Sequence, residues 1–203
     1  MTNQPADNVF DELYRRVYIT ARASFCAARR LELQSRWSQW TIAMASVALL
    51  FIPLAQTFDF ELRISTRMLN VLEILLAVIV LVFSLLIGAE IHLIKADKMQ
   101  RRGLELASIY YALEPYRKKE EDNALYTGFC TKYDSVLERY DNHLPIDYLE
   151  FTLTKKRDYY PDRWSYLRAW VEFQWKRFVS ILLYLLLLLP CIYLVWVLIS
   201  PAS

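Results

Sequence analysis

Glycine is scarce in this chain, with three in 203 residues, and so are histidine, with two, and cysteine, with three. Each shortage excludes a class of protein. So few glycines, with no strand-turn-strand alternation, leave no β-domain and no Gly-rich loop to cradle phosphates. Cys26, Cys130 and Cys191 are odd in number, far apart and without a Cys-x-x-Cys pair, so they build neither a disulfide framework nor a zinc site. Neither a nucleophile elbow nor a metal cluster nor a pair of catalytic carboxylates stands in the sequence, and the expectation is a protein that is not an enzyme and uses no cofactor.

What the chain has in excess is apolar residues, 56% of the total, gathered into three runs. The first, "WTIAMASVALLFIPLAQTF", covers residues 40–58. The second, "LNVLEILLAVIVLVFSLLIGAEIHLI", covers 69–94, and the third, "FVSILLYLLLLLPCIYLVWVLI", covers 178–199. Each reaches the roughly 18 to 20 residues that a helix rising 1.5 Å per residue needs to cross about 30 Å of hydrocarbon. The first run is no cleaved signal, because nearly forty polar, helix-patterned residues precede it. The fold expected is an all-α integral membrane protein: a transmembrane helical hairpin within 40–94, a third transmembrane helix within 178–203, and polar helical segments at 1–39 and 95–177.

Lys and Arg placement orients these spans. Arg15, Arg16, Arg22, Arg29, Arg30 and Arg36 precede the first, and residues 95–177 carry 16 of the 24 basic residues, whereas the loop between spans one and two has only Arg63 and Arg67. The basic segments belong in the cytoplasm, which with three crossings puts the C-terminus outside. The net charge of +2 says nothing further, since the rule counts local cations.

The first polar segment has two faces. Phe10, Leu13, Val17, Ala21, Ser24, Ala28 and Leu31 recur at spacings of three and four, as one side of an amphipathic helix does. Arg15, Arg22, Arg29 and Arg36 recur every seventh residue and form a basic stripe on another side. The stripe reads either as a solvated, headgroup-facing side that enforces topology or as a binding surface for an anionic signal such as a nucleotide. The second polar segment reads as a helix broken near Pro115, then a helix from about Ala124 with Leu125, Phe129, Tyr133, Val136 and Tyr140 on one face. Trp164, Tyr166, Trp170, Phe173 and Trp175 interleave with basic residues before the third run, as an interfacial belt does.

Two places invite a functional assignment. The charge-free part of span two, from Ile74 to Ala89, is 16 residues or about 24 Å long, so Glu73, Glu90 or both approach the membrane interior. Glu73, Ala77, Val80, Ser84 and Gly88 share a helical face, and with Glu90 they are the pore-lining candidates. The bland alternative has Glu73 snorkelling outward and Glu90 paired with Lys95 or Lys98. The second place is "YDNHLPIDY", where Asp141, Asn142 and His143 end a helix and Pro145 forbids its continuation. A helix stop accounts for the local chemistry, and one His with Asp147 four residues on supplies too few ligands for a metal.

These features together give the chain a family likeness. With "AARRLELQSRWSQW" entering the first span, a short outer loop, long polar helices and an Asn-His near the end of the last, it resembles the SLATT family over about residues 8–150. The resemblance implies a homo-oligomeric, pore-forming or membrane-disrupting effector of antiviral defence that arrests the growth of infected cells. It also implies a genomic partner, either a nucleotide second-messenger synthase or, in the branch with an extra C-terminal span, a reverse transcriptase, and a nucleotide or nucleic-acid-derived trigger. By the same resemblance Asn142 and His143, with Asp147 and the stripe arginines, are the candidates for passing that signal to the hairpin. The competing reading is a membrane-anchored scaffold or receptor that conducts nothing.

Overall fold

The amphipathic stretch from Phe10 and the apolar run from Trp40 form one helix. In a computed structural model, which describes residues 9–57, 65–88, 91–117 and 123–199, α1 runs from Val9 to Thr57 without interruption. It is followed by α2 (Thr66–Gly88) and α3 (Ile91–Leu113), then a single 3-10 turn at Glu114–Tyr116. After these come α4 (Asn123–Arg139), α5 (Pro145–Thr154), the one-turn α6 (Lys156–Tyr159) and α7 (Arg163–Ile199). No strand occurs among the described residues. The chain divides into two compact units, one of Met1–Glu32 with His92–Lys176, the other of Leu33–Ile91 with Arg177–Ser203.

In the first unit the seven residues of the α1 apolar face, from Phe10 to Leu31, are all buried. Phe10, Leu13, Val17 and Ala21 pack with Leu106, Ile109 and Leu113 of α3 and Val136 of α4. Ala27, Ala28 and Leu31 pack with Ala96 and Met99. Gly103 of α3 lies under Phe25 of α1, and a Cβ there would stand 2.8 Å from the Phe25 ring. Phe129 and Tyr133 of α4 and Tyr140 just after it lie against the core as their spacing implies, but Leu125 is exposed and Tyr126 takes its place, edge-on to Phe10 at 5.7 Å between ring centres. Burying a side chain the size of Phe10 stabilises by about 1.5–3 kcal/mol.

Proline sets the breaks. Pro115 lies within the 3-10 turn that follows α3. Leu144 is extended, with φ −81° and ψ 157°, as the residue before a proline prefers, and Pro145 opens α5, where its missing N–H costs nothing.

The second unit contains the hairpin seam. Ala45, Ala48 and Ile52 of α1 meet Leu69 and Leu76 of α2, with Leu49, Leu72 and Val80 partly buried around them. Two alanines on the α1 side let the backbones approach. Away from the seam the apolar side chains are open: Met44, Val47 and Leu50 of α1 and Ile74, Val78 and Leu81 of α2 are each 48–71% exposed, with Leu50 the most open of them at 71%. Water would make such a surface an aggregation site; hydrocarbon makes it ordinary. Among the described residues the stretch Val9–Leu54 of α1 is long and apolar enough to cross a membrane. The outer loop with Arg63, the tail after Ile199 and Glu90 lie outside the described residues.

Candidate functional site

The "YDNHLPID" segment lies within the first unit, between α4 and α5, and two arginines from other helices reach it. Arg30 of α1 donates from Nε to Oδ1 of Asp147 at 2.7 Å and from Nη2 to Oδ2 at 3.1 Å. This is the parallel two-bond geometry that a guanidinium makes with a carboxylate, and Lys cannot reproduce it. Asp147 is wholly buried, and the Arg30 side chain is 19% exposed. Asp147 also accepts the backbone N–H of Leu144 at 2.8 Å, so one carboxylate starts α5 and holds α1 at once.

Arg102 of α3 grips the same segment from a different side. Its guanidinium is fully buried and donates from Nη1 to the carbonyl oxygen of Asp141 and from Nη2 to Oδ1 of Asn142 at 3.2 Å. Its Nε is buried without a hydrogen-bond partner. Burial lowers the Arg102 pKa while Tyr133 and Asp141 oppose the change, and a guanidinium keeps its charge in such a setting. Asn142 therefore does more than end a helix: α4 stops at Arg139, and the Asn142 side chain is an acceptor for a buried cation.

His143 stands beside this pair, half-buried, with Nδ1 buried and unpartnered. Burial first, then the charge of Arg102, pushes its pKa below the ordinary 6.5, with Asp147 pulling the other way. The ring is neutral at neutral pH, so the favourable dipole contact of a charged histidine does not operate there.

The seventh-residue stripe has a different place. Arg15, Arg22, Arg29 and Arg36 are all exposed. Arg22 lies over the Tyr18 ring at 5.3 Å, and Arg29 approaches Glu150 at 3.7 Å. Arg36, in the second unit, borders a shallow surface hollow with Leu33, Trp37 and Trp40. The two arginines that hold the segment, Arg30 and Arg102, are not on the stripe. Their signal was present in the register: Arg30 follows Ala23 and Ala27 at helical spacing, and Arg102 falls between Met99 and Leu106 on the buried face of α3. A charge on an apolar face is rare unless paired, and that rarity was the available clue.

In α2 the pore-lining candidates separate. Val80 packs into the hairpin seam, and Glu73 is half-buried one residue from Leu72. Ala77 and Ser84 are exposed. On a wheel of 100° per residue these two lie about 80–100° from Leu76, so they flank the seam instead of facing away from it. Gly88 is the last residue of α2, and Glu90 lies outside the described residues.

Comparison with curated proteins and with solved structures gives no match. Residues 6–197, nearly the whole chain, match the family described as SMODS and SLOG-associating 2TM effector domain family 5, and the chain belongs to that SLATT family of two-transmembrane effectors associated with defence systems.

Proposed function

We propose that this protein is a non-enzymatic membrane effector of bacterial antiviral defence, in which several copies form a pore or perturb the inner membrane when a cytoplasmic signal arrives. The observation that carries the reading is the continuity of α1. One helix holds Arg30 in the grip of Asp147 and goes on as the apolar run that packs against α2. A helix is stiff along its axis, so a change at the Asp147 grip has a direct mechanical route to the hairpin. The trigger is a nucleotide, a nucleic-acid-derived signal or a partner protein such as a reverse transcriptase or a nucleotide second-messenger synthase. The apolar end of α7 is a third span, and the N-terminus and the segment from Lys95 to Arg177 face the cytoplasm. Three spans are too few to enclose a channel, so any pore is built from several chains, with Ala77 and Ser84 of α2 on the face offered to neighbouring copies.

The test is membrane potential, followed with a voltage-sensitive dye in cells expressing the protein with and without its genomic neighbours. Depolarisation that requires both the protein and the neighbour is expected. Intact potential at normal membrane abundance, with growth still arrested or the partner still recruited, would replace this reading by that of a non-conducting scaffold or receptor.

A further inference from the structure

Apart from the arginine grips, the first unit carries an open cleft of about 300 Å³ lined by Asp11, Tyr14, Arg15, Tyr18, Tyr110, Arg117 and Lys155. Three tyrosines form its spine. The rings of Tyr14 and Tyr110 stack with centres 4.2 Å apart, and Tyr18 lies 5.2 Å from Tyr110. A cation sits at each end of this ladder: the Arg117 guanidinium is 4.3 Å from the centre of Tyr14, and the Lys155 ammonium is 4.9 Å from the centre of Tyr18. Cation–π contacts of this kind fix the position of side chains that are otherwise mobile.

The charge around the cleft does not balance. Its lining holds three cations and one carboxylate, Asp11, which accepts a hydrogen bond from Arg117. Lys155 has Asp158 only at 3.9 Å, in an exposed pair. Arg15 makes no ion pair among the described residues. Like charges gathered around one concavity repel unless an anion joins them, and the tyrosine ladder keeps two of them there. The hydroxyls add donors and no charge: the hydrogen bond with Tyr14, together with burial, pushes the Tyr110 pKa up to about 12. The volume is that of a small-molecule site at the low end of the usual range.

We infer that this cleft binds a small ligand bearing at least two negative phosphate charges, held between Arg15, Arg117 and Lys155. Arg117 supplies a planar fork already oriented by Asp11 and Tyr14, whereas Arg15 and Lys155 supply charges that a ligand draws inward. The phosphates belong either to a soluble nucleotide or to a phosphorylated lipid headgroup, and the cleft chemistry is shared by both. The inference rests on the effector reading only in identifying the ligand with its trigger; the site itself is tested by binding.

The experiment uses the full chain in nanodiscs of phosphatidylcholine, titrated with inorganic pyrophosphate by calorimetry. Saturable binding that weakens roughly tenfold in Arg15→Gln and in Lys155→Gln is expected, one charge-assisted contact having been removed in each. Both residues are exposed, so thermal unfolding should be unchanged, and Arg101→Gln, an exposed residue paired with Asp97 and outside the cleft, should bind as the parent does. Absence of binding, equal binding by parent and both cleft variants, or an equal loss in Arg101→Gln would overturn the site. In a second arm the discs contain phosphatidic acid: competition with pyrophosphate assigns the phosphate to lipid, and undiminished binding assigns it to a soluble ligand. Binding that leaves membrane potential unchanged would retain the site and remove its role as a trigger.

Discussion

Arg30 and Asp147 are 117 residues apart in the chain and are joined by two nearly parallel hydrogen bonds, one of them 2.7 Å long, with the carboxylate wholly out of solvent. Two desolvated charges need such geometry to offset what hydration they lose. Asp147 has no slack, since its oxygens also serve the Leu144 amide at the start of α5.

Removing one partner should therefore cost more than removing both. Asp147→Ala leaves the Arg30 charge largely buried and the α5 start unserved, and a loss of about 3–5 kcal/mol is expected for a broken buried pair. Arg30→Met combined with Asp147→Leu should lose clearly less than the sum of the single changes. Denaturant unfolding of the four proteins in a common detergent measures the coupling; additive losses would mean that the pair does not act as a unit.

Arg102 gives the opposite asymmetry. Asp141 and Asn142 are exposed residues, so when Arg102→Met removes the buried charge their acceptors return to water. Stability should then stay within about 1–2 kcal/mol of the parent, because an apolar chain of similar length replaces a costly buried cation. Asn142→Ala instead strands a donor of the buried guanidinium, at a cost of about 1–3 kcal/mol. A larger loss for Arg102→Met than for Asn142→Ala would reverse this account.

Much of this was legible in the sequence where one periodicity dominates. The α1 face from Phe10 to Leu31 and the break near Pro115 follow from helical spacing and from the chemistry of proline. The continuity of α1 was hidden, because the composition changes near Trp40 while the backbone does not, and no glycine or inner proline marks a boundary before Pro53. The stripe drew notice by its regularity, yet regular charges on one face are solvated. Arg30 and Arg102 break the pattern, and their partners are remote in sequence, so no local rule could pair them. Val80 shared a wheel face with Ser84, but the seam lies close enough to that face to take one and leave the other exposed.

Single cysteines in α2 should report this division. Cys26 can stay in the background chain: it is buried, and burial pushes its thiol pKa up to about 11, where little thiolate exists at neutral pH. With Cys130 and Cys191 replaced, Ser84→Cys and Ala77→Cys should react with a water-soluble thiol reagent when the protein is active, and Val80→Cys should not. Labelling of Val80→Cys alone would place water in the seam and exclude Ser84 from a pore.

Topology has an independent reporter. Alkaline phosphatase joined after Ser203 should be active, and joined at Glu121 it should be inactive, since the enzyme works only outside the cytoplasm. The reverse pattern would turn the basic segments outward and defeat any cytoplasmic trigger.

His143 predicts a pH dependence whose sign follows from its burial. Its pKa in the folded protein lies below the ordinary 6.5, so between the two values the unfolded chain binds more proton than the folded one. Stability is then complete well above pH 6.5 and falls as pH drops through that value, with a slope of at most about 1.4 kcal/mol per pH unit until the folded pKa is reached. The ring is only half-buried, and solvent screening reduces the slope below that limit. Protonation would also set a second positive charge beside Arg102, with the Nδ1 proton facing no acceptor. His143→Leu should remove the term, leaving a flatter profile between pH 7 and 5 while insertion and oligomer size on native gels remain as in the parent. Unfolding midpoints of parent and variant across that range isolate the contribution, because every other titrating group is common to both. Parallel profiles would show that the histidine titrates alike in both states and that its neighbours, Arg102 and Asp147, do not sense its charge.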